Sequence, residues 1–141
     1  MINDDIKNGI LARLEELEPE YPKYVEEVKQ GFVEPAFFVH LINGEQQHEL
    51  NKRYKRMLLF NVRFLPDSKS LTENSACHSM AERLYGKLRY IVWGGITYHG
   101  LRLKHEVIDS VLHFFVSFEI RIVEQLEPVP KMNKIEMEAH L

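Results

Sequence analysis

The chain reads as an α+β domain in which an antiparallel sheet of about four to five strands carries two helices packed on one face. Three observations predict this. First, the stretch Val111–Val123, VLHFFVSFEIRIV, puts Leu112, Phe114, Val116, Phe118, Ile120 and Ile122 at its even positions, with His113, Ser117, Glu119 and Arg121 between them. That period of two marks a strand with one face committed to a core. Burying such a row contributes roughly 10 kcal/mol before entropy is subtracted, so this strand can serve as the spine. Second, the preceding segment fits it as a hairpin: with Asp109 and Ser110 as a two-residue turn, Ile108 faces Val111, Val107 faces Leu112, His105 faces Phe114, Leu103 faces Val116 and Leu101 faces Phe118. The apolar sets then share one face, with Arg102, Lys104 and Glu106 on the other, and a slip of one residue would ruin the match. Third, two other stretches repeat at helical spacing.

Taken in order, Ile2, Ile6, Ile10, Leu14 and Leu17 form the first helical stripe, with Asn3, Asp4 and Asp5 near its start, where acidic and capping residues suit the helix dipole. Pro19 and Pro22 end it, giving a helix over about residues 3–18. Residues 24–28 read as a short edge strand charged by Glu26 and Glu27. A second strand, AFFVHLI, starts at Ala36 and is closed by Asn43-Gly44; the polar GEQQHEL that follows suits a loop or one helical turn. A third strand spans residues 52–66, with Leu58, Phe60, Val62 and Phe64 on one face and Met57, Leu59, Asn61, Arg63 and Leu65 on the other; its basic first half is expected to project beyond the sheet. After a turn at residues 67–72, the second helix carries Leu71, Cys77, Met80, Ala81, Leu84, Leu88 and Ile91, and Trp93-Gly94-Gly95 breaks it. The order is helix, three strands, helix, two strands. One domain over residues 1–125 and a C-terminal tail over 126–141 follow, because Pro128 and Pro130 leave the fold and MNKIEMEAHL has too few apolar residues for its own core.

At 141 residues and 45% hydrophobic content the chain suffices for one domain with a real core. A net charge of -3 argues against a dedicated nucleic-acid binder. No apolar run has the length of a membrane span, the N-terminus MINDDIKNG lacks signal-peptide features, and the single Cys77 excludes an internal disulfide, so a reducing cytoplasm is the expected site of synthesis.

Candidate chemistry is thin. His99, His105 and His113 lack the usual ligand spacings, and His105 faces inward beside Phe114 while His113 faces Glu106 on the other side, so structural roles are expected. Cys77 could be a nucleophile only if a base such as His78 activated it, yet neighbours on a helix diverge by about 100 degrees. Trp93-Gly94-Gly95 lacks the Lys-Ser/Thr of a P-loop. No catalytic residue, cofactor site or metal site is expected, and the chain is not expected to be an enzyme. Two surface signals stand out. Lys52, Arg53, Lys55 and Arg56 form a basic run that suits either a solvated strand end or a charged docking site. Met57, Leu59 and Leu65, with Val111, Phe115 and Val123, make the sheet face away from the helices more apolar than water requires, which points to association with a copy or a partner.

Three stretches together carry a family resemblance: YVEEVKQGFVEPAFF from Tyr24, NKRYKR from Asn51, and KHEVIDSVLHF from Lys104. In order and spacing, up to about Val123, the chain resembles the phage tail terminator family of phages and prophages of Gram-positive bacteria. Ala36 departs from a common cysteine and Ser110 from a usual turn glycine; the latter only strains the hairpin turn. The resemblance implies a structural virion protein that, as a ring of commonly six subunits at the head-proximal end of the tail, caps the tail tube, ends its polymerisation and offers the head-joining surface. The implied partners are copies of itself, the tail tube protein and a neck or connector protein, with DNA passing through the lumen without specific binding and no membrane. Assembly is implied in the bacterial host cytoplasm. On this reading Met57, Leu59 and Phe115 contribute to the subunit interface, and Lys52, Arg53, Lys55 and Arg56 contact the tube or neck. The rivals are a head completion or connector protein of the neck, and a small ligand-binding domain or enzyme using His99, His105 or Cys77.

Overall fold

The structure, a computed structural model, describes residues 2–25, 33–67 and 73–123. It is α+β, with elements in the order α1 (Ile2–Leu17), β1 (Lys23–Tyr24), β2 (Ala36–His48), β3 (Arg53–Leu65), α2 (Glu73–Lys87), β4 (Tyr90–Trp93), β5 (Ile96–Ile108) and β6 (Val111–Val123). The strands form one curled sheet in the order β1-β2-β3-β6-β5-β4. All neighbours are antiparallel except β1 and β2, where Lys23 lies beside Phe37 in a parallel pair. The sheet is therefore six-stranded and mixed rather than four to five antiparallel strands.

Both helices lie where their stripes require. Ile6, Ile10 and Leu14 are fully buried on α1, and Cys77, Met80, Ala81 and Leu84 are buried on α2, all in one core with Phe37, Phe60, Phe114 and Phe118. Helix α1 packs over β4 and β2, and α2 over β6 and β5. Gly9 lets α1 settle close on β4: a Cβ there would stand 2.9 Å from Ile91 Cδ1. Arg83 Nη1 reaches Glu18 Oε1 at 2.7 Å across the helices, an exposed pair that contributes little to stability.

The sheet corrects the sequence expectations in four places. Strand β2 does not close at Asn43-Gly44 but continues through GEQQH to His48. A bulge between Leu41 and Asn43 absorbs Ile42, and pairing resumes from Asn43 opposite Leu59 to His48 opposite Tyr54, since a backbone ladder needs no apolar side chains. The basic half of β3 does not project beyond the sheet, because Arg53, Tyr54, Lys55 and Arg56 also pair with Val123, Ile122, Arg121 and Ile120 of β6. Helix α2 ends at Lys87, and Ile91 belongs to β4. Its position continues the helical spacing by coincidence, while Gly94 and Gly95, both at positive φ, form the two-residue turn of the β4–β5 hairpin rather than a helix break.

The fourth correction lies in the β5–β6 hairpin. Ile108 opposite Val111, Val107 opposite Leu112 and His105 opposite Phe114 hold as expected, with Asp109 and Ser110 both at positive φ in the turn. Beyond Lys104 a bulge intervenes, so Leu101 faces Ser117 and Gly100 faces Phe118, not Leu101. Arg102 stands at φ 54 within it. Of the remaining expectations, residues 26–28 of the first strand, most of the turn at 67–72, Leu71 and the tail at 126–141 lie outside the described residues.

Candidate functional site

The side of the sheet away from the helices is built by strand parity. Leu58, Phe60 and Val62 of β3 face the core with Phe118, Val116 and Phe114 of β6, so Met57, Leu59 and Asn61 face outward with Glu119, Ser117 and Phe115. Met57 and Leu59 are half-buried in the floor of a groove of about 330 Å³, whose other lining includes Glu45, Gln47, Lys55, Arg102 and Ser117. Phe115 lies one pair further along the same face, opposite Asn61, with Lys104 Nζ 5.2 Å from its ring centre. The face is thus partly roofed by its own charged side chains, as amphipathic stems allow. Asn61 is buried and donates from Nδ2 to the Phe114 carbonyl at 3.5 Å. Leu65 and Val111 are half-buried and Val123 is exposed.

The same parity divides the basic run. Arg53 and Lys55 lie on the outer face with Met57, while Arg56 lies on the helix side, opposite Ile120. There it lines a second groove with Asn3, Leu41 and Leu58, and its Nε donates to Gln46 Oε1 at 3.0 Å. Lys52 sits in the turn before β3. Lys55 Nζ is 3.3 Å from Glu119 Oε1, and Arg121 bridges Glu49 at 3.0 Å and Glu119 at 3.4 Å. Four cations that look contiguous in sequence therefore do not make one patch.

The histidines and the cysteine separate as follows. His105 does face the core side, where Tyr85 of α2 places its hydroxyl 2.8 Å from His105 Nδ1 and His78 places its Nδ1 3.2 Å from His105 Nε2. The pairing of His78 with His105 across α2 and β5 is invisible in the sequence, because only the fold brings residues 27 apart together. His113 lies on the opposite face, across from Glu106 and Arg63. Burial, and then the Arg63 guanidinium, push its imidazole below the ordinary value, against the pull of Glu106. Cys77 is buried, its Sγ 3.5 Å from the Ser110 carbonyl, and burial pushes the thiol up, away from a reactive thiolate. Among the described residues no group of three or more His, Cys, Asp or Glu is placed to hold a metal ion.

A family model described as phage tail terminator protein matches residues 5–130. The chain belongs to the phage tail terminator family. Its members are structural proteins of the phage tail. No curated protein matches the chain. A solved structure without a descriptive name is similar at a TM-score of 0.40 and 12% identity, over 90% of this chain and 98% of that one.

On this tail terminator the structure adds one residue, Leu101, to the outer face that sequence reasoning missed, while Arg102 lies on that face as expected. The β5 bulge turns Leu101, expected in the core, outward beside Ser117, and aims Arg102 into the groove with Met57 and Leu59. The one signal that could have found Leu101 is Gly100, a glycine inside a strand pattern, which marks a bulge or a close backbone approach. Among the described residues no helix is long and apolar enough to cross a membrane.

Proposed function

We propose that this tail terminator assembles as a ring at the head-proximal end of a phage or phage-derived tail, caps the tube, stops its polymerisation and offers the surface to which the head is joined. The observation that supports the reading is the outer sheet face, where Met57, Leu59, Leu101 and Phe115 lie among charges that neutralise one another. An apolar centre edged by paired charges is the composition of a protein-protein interface. In a ring each copy offers one patch to a different patch on the next, and the rotation must close. Met57, Leu59 and Phe115 form one such patch in this proposal, Arg53 and Lys55 flank it, Arg56 meets the tube or neck protein from the helix side of β3, and Lys52 meets it from the turn before that strand. A net charge of -3 suits a lumen through which DNA passes without being held.

Electron microscopy of tails assembled without this protein tests the proposal. Overlong tubes support a terminator. Tails of normal length that lack heads would overturn it in favour of a head completion or connector protein of the neck.

A further inference from the structure

We infer that the β4 edge of one subunit pairs through its backbone with the open length of β2, residues 42–48, on the next. This seam rests on the ring reading above and gives it a route that the outer face does not. Edge strands usually carry charges or proline that discourage pairing. Here the β4–β5 hairpin instead leaves Tyr90, Val92, Trp93 and Ile96 between 39% and 54% exposed. Four large apolar side chains on one short hairpin are more than a free edge tolerates.

The ladder shows which backbone groups that edge offers. Trp93 and Ile96 flank the two-residue turn, and the Arg89 carbonyl accepts from Gly100 N at 2.7 Å, so the odd residues of β4 bond to β5. Tyr90 and Val92 accordingly point their N–H and C=O groups outward. The Tyr90 carbonyl confirms this direction by accepting from Arg13 Nε of α1 at 3.0 Å, which leaves the Tyr90 N–H and both backbone groups of Val92 for a neighbour. Beside Val92, a groove of about 290 Å³ opens against Gly9, Ala12, Arg13 and Glu16 of α1.

The complementary edge is on β2. Among the described residues β1 pairs only with Phe37 and Phe38, leaving the rest of that edge open. Glu49 N donates to the Arg53 carbonyl at 2.8 Å, so on the regular ladder Gly44, Gln46 and His48 turn their backbone groups away from β3. Ile42 is 46% exposed where this length begins.

Charge decides between a second β4 and a β2 as the occupant. Arg13, Lys87 and Arg89 flank the hairpin edge against one carboxylate, Glu16, which lies 3.1 Å from Arg13 and 3.7 Å from Lys87. Two β4 edges would bring these cations together. The β2 edge instead carries the carboxylate of Glu45 and the uncharged Gln46 and Gln47, with one cation, Arg56, held to Gln46 Oε1 at 3.0 Å. Joining two different edges is a head-to-tail contact, the kind that closes into a ring.

The test mixes two chains, each with one added cysteine, with tail tubes: Val92→Cys in one, and Gly44→Cys, Gln46→Cys or His48→Cys in the other; buried Cys77 stays out of reach. An intersubunit disulfide in a mixture, absent from either chain alone, is expected. Val92→Pro removes only an outward N–H, so its monomer should melt like wild type and lose ring assembly. Rings that form without any of these crosslinks, and form equally from Val92→Pro, overturn the seam while leaving the ring intact. Wild-type protein that stays monomeric on tubes overturns both.

Discussion

Gly100→Ala is the substitution whose cost can be worked out most directly from the fold. A Cβ at residue 100 would stand 2.5 Å from the Leu88 carbonyl oxygen, 3.0 Å from Val116 Cγ2 and 3.4 Å from the Arg89 carbonyl oxygen. The first contact is with backbone, which cannot swing aside as a flexible side chain would. The crossing from α2 into β4 and the bulged half of β5 must therefore separate. Overpacking of this kind costs about 1–3 kcal/mol. Weakening the 2.7 Å bond from Gly100 N to the Arg89 carbonyl adds roughly 1 kcal/mol. For a domain of this size, a loss of about 2–4 kcal/mol lowers the melting temperature by roughly 6–15 °C. Thermal denaturation followed by circular dichroism reads the shift. Gly86→Ala is the control of opposite sign, because nothing lies within 4 Å of its Cβ position in α2 and alanine is the better helix former by about 0.5–1 kcal/mol. A Gly100→Ala protein that melts with wild type, or a Gly86→Ala protein that melts lower than Gly100→Ala, would refute the packing argument.

Further outcomes follow from the two faces of the sheet and its buried groups. Leu59→Asp, at the groove floor, should leave the monomer folded and abolish assembly on tubes; normal assembly would remove the outer face from the interface. Arg53→Glu and Arg56→Glu together should weaken assembly without unfolding the monomer, and because the two side chains lie on opposite faces, the single reversals should differ; tails of normal length from the double variant would count against a docking role. His113 holds its proton less tightly when folded, so the unfolded chain binds more protons as pH falls through about 6.5. Stability should be intact above that pH and decline below it, and His113→Gln should flatten the decline in denaturant titrations between pH 7 and 5. Cys77 should resist alkylation by iodoacetamide in the native protein and react once the chain is unfolded, with mass spectrometry as the readout.

Much of the architecture was legible because it is written in periodicity. The even residues of β6, the stripe of α1 and the paired residues nearest the Asp109-Ser110 turn all declare their faces through side-chain chemistry. What escaped was set by backbone geometry. Residues 44–48 of β2 extend a strand with polar side chains, because β3 supplies a ladder that composition does not reveal. Ile91 satisfies both a helical and an extended pattern, and the glycines after it fit either a helix end or a hairpin turn. Of the outer face, Met57, Leu59 and Phe115 could be assigned from alternation alone. The same alternation divides Arg53 and Lys55 from Arg56, a division that the contiguity of the basic run conceals. Leu101 could not be placed, since one extra residue reverses parity from there back.

That extra residue at Arg102 and Leu103 gives the strand an unusual genetic handle. Excising a single codon there would restore simple alternation, withdraw Leu101 from the surface and drive the preceding side chains to the opposite sides of the sheet. Half a strand would thus exchange its exterior for its interior without one amino acid being replaced. Relatives that differ in length at this point would present different surfaces from nearly the same string of letters.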